Sequence, residues 1–275
     1  MRRYFSVGSI VEGTMARRKP LRRTLIIALV ALVVTGAIAV AGGAGAALVK
    51  VGPLVLRADG SFKPSQLPAN KYAPIELIGR ADIKVTTGGP PPALREVELD
   101  FDRDGQLFTK GLPKCTVAKI RSATTRQARN RCENAIVGEG FIGAYFREGE
   151  TQVKGSAPAT LFNGPPQDGN PTAIGHVFTD FPSPRTYVVV IPIERRSGAY
   201  AYRAHIDVPK IADEGVLTHI DGHISRRFKY RGKNRSYVSA KCSAGVLRVH
   251  GHFLFADEDA TIIDGSVEKP CFPED

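Results

Sequence analysis

Tryptophan is absent from this chain, and its two methionines, Met1 and Met15, are confined to the first 15 residues. The remainder therefore lacks both the thioether clusters that bind soft metals and the indole platforms on which many sugar clefts are built. None of the four cysteines stands in a C-x-x-C pair, the close spacing that a structural zinc site needs. There is no G-x-S-x-G, no P-loop, no H-E-x-x-H and no G-x-G-x-x-G after a strand. The chain thus carries none of the common motifs for serine esterases, nucleotide enzymes or zinc proteases. Its bulk composition is ordinary, with 43% of the 275 residues hydrophobic and 24% charged. That excludes a wholly disordered, collagen-like or polytopic membrane protein and leaves enough apolar side chains for one large or two ordinary domains.

What the chain has in excess is positive charge, a formal +11. Arg2, Arg3, Arg17, Arg18, Lys19, Arg22 and Arg23 lie within residues 1–49 against one acid, Glu12, leaving 31 basic and 26 acidic residues in the rest. That remainder is mildly basic, not the dense footprint of a nucleic-acid binder, so no nucleic-acid partner is expected.

The basic stretch from Met15 to Arg23 is followed by an uncharged run, Thr24 to Val49. A positive flank ahead of an apolar run is the pattern of export. Leu25 to Val34 has the length of a signal-peptide core, and small-x-small sites follow at Ala37-Ile38-Ala39, Ala39-Val40-Ala41 and Ala44-Gly45-Ala46. Cleavage is the preferred expectation. Retention as a single N-terminal transmembrane helix is the alternative, because the run exceeds the roughly 20 residues that span a bilayer. Met15 fits the start of such a leader better than Met1. Under either outcome residues 1–23 are a basic cytoplasmic tail, 24–49 a signal peptide or anchor, and the rest lies outside the cytoplasm, secreted or membrane-held. The cysteines agree: Cys115, Cys132, Cys242 and Cys271 all follow the apolar run, and an even count in an oxidising compartment implies two disulfides. Of the three connectivities, Cys115–Cys132 with Cys242–Cys271 closes the shortest loops and is expected.

Residues 50–71, with Gly52, Pro53, Gly60, Pro64 and Pro68, suggest a linker with little structure. Beyond it alternation dominates. Arg95 to Asp102 sets Val97, Leu99 and Phe101 on one face and Glu96, Glu98, Asp100 and Asp102 on the other, the pattern of a half-buried strand. Similar segments recur at short intervals to Val267, including Ile75 to Val85, Ala135 to Phe146, Thr218 to Tyr230 and Val246 to Ala256. One short helix is expected at Thr124 to Asn134, riding on the sheet edge beside Cys132. The fold class expected is all-β: an antiparallel, jelly-roll-like β-sandwich over residues 72–275, preceded by the N-terminal hydrophobic helix.

Three features could carry chemistry. Asp100-Phe-Asp102-Arg-Asp104-Gly105 opens like a calcium loop, but the twelfth position, which should be a bidentate glutamate, is Gly111, and a strand ending in a turn explains the same residues. Arg227, Lys229, Arg231, Lys233 and Arg235 alternate with aromatic and polar residues. They are either solvated partners of the acids at 96–102 or a binding face for an anionic cell-wall polymer or lipid headgroup. His219, Asp221 and His223 alternate and form a candidate transition-metal site. No catalytic residue is nominated and no cofactor is expected.

Several blocks resemble an uncharacterised family of exported, four-cysteine, β-rich proteins from high-GC Gram-positive (actinobacterial) bacteria. They include Lys71-Tyr-Ala-Pro-Ile75, Pro91 to Asp102, Gly111-Leu-Pro-Lys-Cys115, Asn134-Ala-Ile-Val-Gly138, Phe228 to Lys233, Ala240-Lys-Cys242 and Lys269-Pro-Cys271. The resemblance implies export and no particular activity. The expectation is an exported cell-envelope protein with a binding or structural role; the alternative is a secreted hydrolase using carboxylates or the His/Asp set.

Overall fold

The computed structural model describes residues 45–212 and 214–274. The basic tail and most of the apolar segment 24–49 lie outside these residues, and no described helix is long and apolar enough to cross a membrane. In chain order the first strands are β1 (Ala47–Val51), β2 (Leu54–Lys63), β3 (Gln66–Pro68), β4 (Ala73–Pro74), β5 (Glu76–Val85), β6 (Ala93–Asp102) and β7 (Gly105–Leu107). The helical stretch follows, with α1 (Val117–Ile120), α2 (Thr125–Arg131) and a 3-10 turn, Glu133–Ala135. Next come β8 (Ile136–Glu148), β9 (Thr151–Asn163), β10 (Thr172–Thr179), β11 (Arg185–Arg195), β12 (Tyr200–Asp207) and β13 (Val216–Ile224). The chain ends with β14 (Arg227–Tyr230), β15 (Lys233–Ser236), β16 (Val238–Ala240), β17 (Val246–Ala256), β18 (Ile262–Pro270) and β19 (Phe272–Glu274).

Twelve of these strands form one antiparallel sheet in the order β1-β2-β5-β13-β8-β9-β10-β11-β12-β6-β17-β18. The all-β, antiparallel expectation holds. A two-sheet jelly roll is not confirmed, because the sheet curls until its first and last strands meet. A Cβ on Gly265 of β18 would lie 3.3 Å from Val49 Cγ2 of β1, and one on Gly60 of β2 would lie 3.8 Å from Val267 Cγ1. Lys269 Nζ reaches Asp59 Oδ1 at 2.9 Å across the same seam. No ladder joins β1 to β18 among the described residues, so packing and this ion pair close the barrel.

Period-two alternation decides which residues face inward. On β6 Val97 and Leu99 point in while Glu96 and Glu98 point out, and β12, β17 and β18 follow the same phase in register. At one end of the barrel Leu54, Leu56, Ile83, Phe146, Leu217, Phe253, Phe255 and Ile263 fill the interior. At the other end a small sheet, β4-β16-β7, and its neighbours form two further clusters around Leu67 and Ile75 and around Leu112, Val137 and Tyr237.

The linker expectation at 50–71 is corrected: β1 ends there and β2 and β3 occupy most of it. Gly52 and Pro53 make a tight hairpin turn, with Gly52 at φ +56°, and Leu54, Val55 and Leu56 are buried. The helix is also repositioned. A capping box starts α2, with Thr124 Oγ1 accepting from Gln127 N at 3.3 Å and Gln127 Oε1 accepting from Thr124 N at 3.0 Å. It packs over β9 and β10, in the middle of the sheet and on its outer face. There Cys115, Ile120, Ala128, Cys132, Phe162 and Ile174 form a second core. The disulfides are Cys115–Cys132 and Cys242–Cys271, the expected pairing. The first staples the helical layer to itself; the second ties β18 to the loop after β16.

Candidate functional site

Twelve strands enclose more room than their side chains fill, since about eight already suffice for a packed interior. The chain widens the gap further by placing small residues on the inner face at mid-height. Gly60 on β2 pairs with Gly79 on β5, Gly79 with Gly222 on β13, and Gly222 with Gly140 on β8. Four glycines thus lie in one register row across four adjacent strands. Ala58, Ala81, Ala157, Ala159, Ala173 and Gly175 border the row on the same wall. A Cβ placed on Gly79 or Gly222 would meet nothing within 4 Å. The result is an interior cavity of about 590 Å³ with almost wholly apolar walls, completed by Leu99, Ile142, Val189, Ile191, Tyr202 and Val249.

Tyr237 lines this cavity and is 1% exposed. It packs with Leu107, Leu161 and Ile224, and its backbone is fixed on both sides, Tyr237 N donating to Arg226 O at 2.8 Å and Phe108 N to Tyr237 O at 2.9 Å. Its Oη has no hydrogen-bond partner, and burial pushes the phenol above its ordinary pKa.

The acids of β6 find partners other than those expected. Arg203 of β12 forks onto Asp100, with Nε–Oδ1 at 2.8 Å and Nη2–Oδ2 at 2.6 Å, and its Nη1 lies 2.7 Å from Glu98. Those bonds hold the Asp100 carboxyl below the usual range. His205 Nδ1 stands 3.5 Å from Glu98 and 3.7 Å from Glu96, while His250 and His252 of β17 lie opposite Asp100 and Glu98 in register. The calcium-loop likeness resolves into a turn. Asp102 accepts from Asp104 N and Arg248 N, and Asp104 accepts from Ser243 N at 2.6 Å. Burial raises the Asp102 pKa.

His219, Asp221 and His223 share the outer face of β13 but do not converge on one point, which corrects the metal expectation. His219 is held between Asp82, at 2.8 Å from Nδ1, and Asp221, at 2.9 Å from Nε2, while His223 turns to Glu76 at 3.2 Å. Burial works against protonation of His219, but the two carboxylates outweigh it and raise its pKa. Among the described residues, the group with ligand atoms close enough to share an ion is Glu96, His205 and Asp207, all on the outer wall. Gly138-Glu139-Gly140-Phe141-Ile142-Gly143 has the letter spacing of a dinucleotide loop, but lies inside β8 with no helix after it.

The basic segment forms its own hairpin, β14–β15. Phe228 and Tyr230 turn inward: Phe228 stacks on Phe108, Tyr230 meets that ring edge-on, and the Tyr230 ring lies over Gly111, whose φ of +82° also excludes a larger residue there. Arg227, Lys229, Arg231, Lys233 and Arg235 are exposed, and none forms a salt bridge among the described residues. Arg231 and Arg235 instead lie 5.3 and 5.1 Å from the Tyr230 and Phe108 ring centroids. Phe228 also packs beside Tyr237, which puts the hairpin at the Tyr237 end of the cavity.

The cavity was the feature sequence reasoning missed. Its trace was the recurrence of Gly and Ala at alternate positions, as in Gly138/Gly140, Ala157/Ala159 and Ala173/Gly175, which becomes informative only once the strands are aligned. Comparison with protein-family models, curated proteins and solved structures finds no match to the chain.

Proposed function

We propose that the protein is an exported binding protein that holds an apolar ligand inside its barrel. The observation that carries this reading is the 590 Å³ apolar cavity, within the roughly 300–1,000 Å³ range of small-molecule sites. Its size argues against a mere packing defect. At about 24 cal/mol per Å³, an empty space this large forgoes on the order of 10 kcal/mol, comparable to the whole net stability of a domain. Filling it with water would place some twenty molecules, at about 30 Å³ each, against walls that offer them almost no hydrogen bonds. A hydrocarbon ligand removes both penalties.

Export is supported by the leader pattern and by two disulfides, which persist in oxidising compartments; membership of the exported actinobacterial family belongs to the same proposal. The hairpin at the Tyr237 end suits contact with an anionic surface, a lipid headgroup layer or a cell-wall polymer, since each basic residue near such a membrane contributes about 1 kcal/mol. A hydrolase is less well supported: Asp102, the cavity-wall acid with a raised pKa, already holds two backbone N–H groups.

Two measurements test the reading. Full-length protein should bind the uncharged fluorophore N-phenyl-1-naphthylamine saturably and one-to-one, and lose it in Gly79→Leu and Gly222→Leu; non-saturable binding, or binding untouched by both substitutions, overturns the proposal. Replacing Lys229, Arg231, Lys233 and Arg235 by Ala should abolish retention on anionic vesicles while leaving fluorophore binding intact. Unchanged retention removes the surface contact and not the cavity.

A further inference from the structure

Every junction in the barrel wall is a hydrogen-bonded ladder except the one where β18 returns to β1 and β2. No backbone hydrogen bond crosses that seam among the described residues. β1 covers the edge of β2 only from Leu54 to Ala58, so from Asp59 onward β2 faces β18 directly. There Gly60 N donates to the Asp59 carboxylate at 2.8 Å and not across the seam. What holds the two edges together is the approach of Val49 to Gly265 and of Gly60 to Val267, with the Lys269–Asp59 ion pair at 2.9 Å. Those two side chains are 22% and 44% exposed, so water weakens their attraction. The cavity lies directly behind this seam. Ala47, Val49, Gly265 and Val267 are half-buried, alternate with exposed neighbours and line it. Lys269 follows Gly265 and Val267 in the inward phase, yet its ammonium crosses the seam to Asp59 on the outer face of β2.

Resting on the cavity reading, we infer that the seam between β1–β2 and β18 is the gate through which the apolar ligand enters and leaves, and that Lys269 and Asp59 are its latch. Every other route costs more. Parting any other pair of strands would break a run of ladder bonds at once and leave their backbone groups without partners. Entry at the packed end would have to displace Leu54, Phe146, Phe253 and Phe255. The opposite end is filled by Leu67, Ile75 and Tyr237 and tied by Cys242–Cys271. At the seam the strand edges are already unpaired, so their separation breaks no ladder. The two charges it releases are partly in water before it opens.

The test locks the seam and then loosens it. A Cβ on Gly265 would stand 3.8 Å from Ala47 Cβ, a separation that a disulfide spans. Full-length protein carrying Ala47→Cys and Gly265→Cys together, oxidised and checked for the cross-link by mass spectrometry, is mixed with N-phenyl-1-naphthylamine in a stopped-flow fluorimeter. The cross-link should slow uptake and release of the probe together, each by about tenfold or more, with Kd within about twofold of wild type. The two single-cysteine variants should exchange the probe at the wild-type rate. Lys269→Met keeps the stem and removes the latch, and should speed both rates about threefold at unchanged Kd. Rates that move together at constant affinity separate a gate from a cavity that is merely blocked or misfolded. Cross-linked protein that exchanges at the wild-type rate overturns the inference and leaves the cavity reading standing. Should the cysteines fail to join, Lys269→Met decides alone, and unchanged rates in it overturn the gate. Absence of saturable binding by wild type overturns the cavity reading, and the gate falls with it.

Discussion

Leu56 on β2, Ile83 on β5 and Ala144 on β8 belong to the packed end of the barrel. Four residues along the same strands, about 13 Å away at some 3.3 Å per residue, stand Gly60, Gly79 and Gly140 in the open row. Both bands obey the same inward alternation and share the same hydrogen-bonded ladders. They differ in side-chain size, with open space above Gly79 and Gly222, and at Gly140 also in the close approach of the β13 backbone at Asp221. One band is a core that holds the barrel together, and the other leaves a wall of bare backbone around empty space. Alternation therefore specifies which way a residue faces, while the volume at each level specifies whether the interior is structural or available to a ligand.

The comparison is most strongly stressed by Phe255→Ala at the packed end. Phe255 is 1% exposed, so the change should cost about 3–5 kcal/mol in urea unfolding; a loss under about 1 kcal/mol would mean that this end is not the core. Gly222→Leu in the open row should do the reverse. It should leave stability within about 1 kcal/mol of wild type while weakening apolar-probe binding on the order of tenfold or more, because the new side chain occupies ligand space.

The outer side of β9 and β10, beside the open row, is packed by the helical layer, and a pH series addresses it separately. Burial lowers the pKa of His176, so the unfolded chain takes up the proton first. The contribution of neutral His176 is intact above its ordinary value of about 6.5 and is lost as pH falls toward the lowered folded value. From pH 7 to 5 wild type should therefore lose more stability than His176→Gln, by up to about 1.4 kcal/mol per pH unit for one proton. His219, with its raised pKa, acts in the opposite sense, which is why the difference between the two proteins is the useful quantity. Smallest of all, ligand-free Tyr237→Phe should be about 1 kcal/mol more stable than wild type by differential scanning calorimetry, since it deletes an unsatisfied hydroxyl.

Much of the fold was legible because its signals are local. The alternation of Val97, Leu99 and Phe101 against Glu96, Glu98 and Asp100 placed β6, and the capping pair Thr124 and Gln127 lies within the segment expected as helix. The linker was misread because Gly and Pro in 52–68 were taken as breaks in structure, where β2 and β3 run. Gly60 is instead an inner-face clearance in a strand, and a single strand cannot show whether a glycine marks a loop or the wall of a cavity. The charges were misassigned similarly. The acids of 96–100 and the bases of 227–235 look complementary in sequence, but the strand order sets β6 between β12 and β17, and Arg203 of β12 takes Asp100 and Glu98 as its partners. Among the described residues the hairpin cations have no acidic partner.

The sequence by itself determined the all-β class and the pairing of the four cysteines, because each depends on residues near one another in the chain. Only the tertiary structure decided that residues 60, 79, 140 and 222 share a level, that β18 returns to β1, and that Tyr237 borders the resulting space. Register between distant strands is a non-local choice, set by how the whole sheet curls and closes.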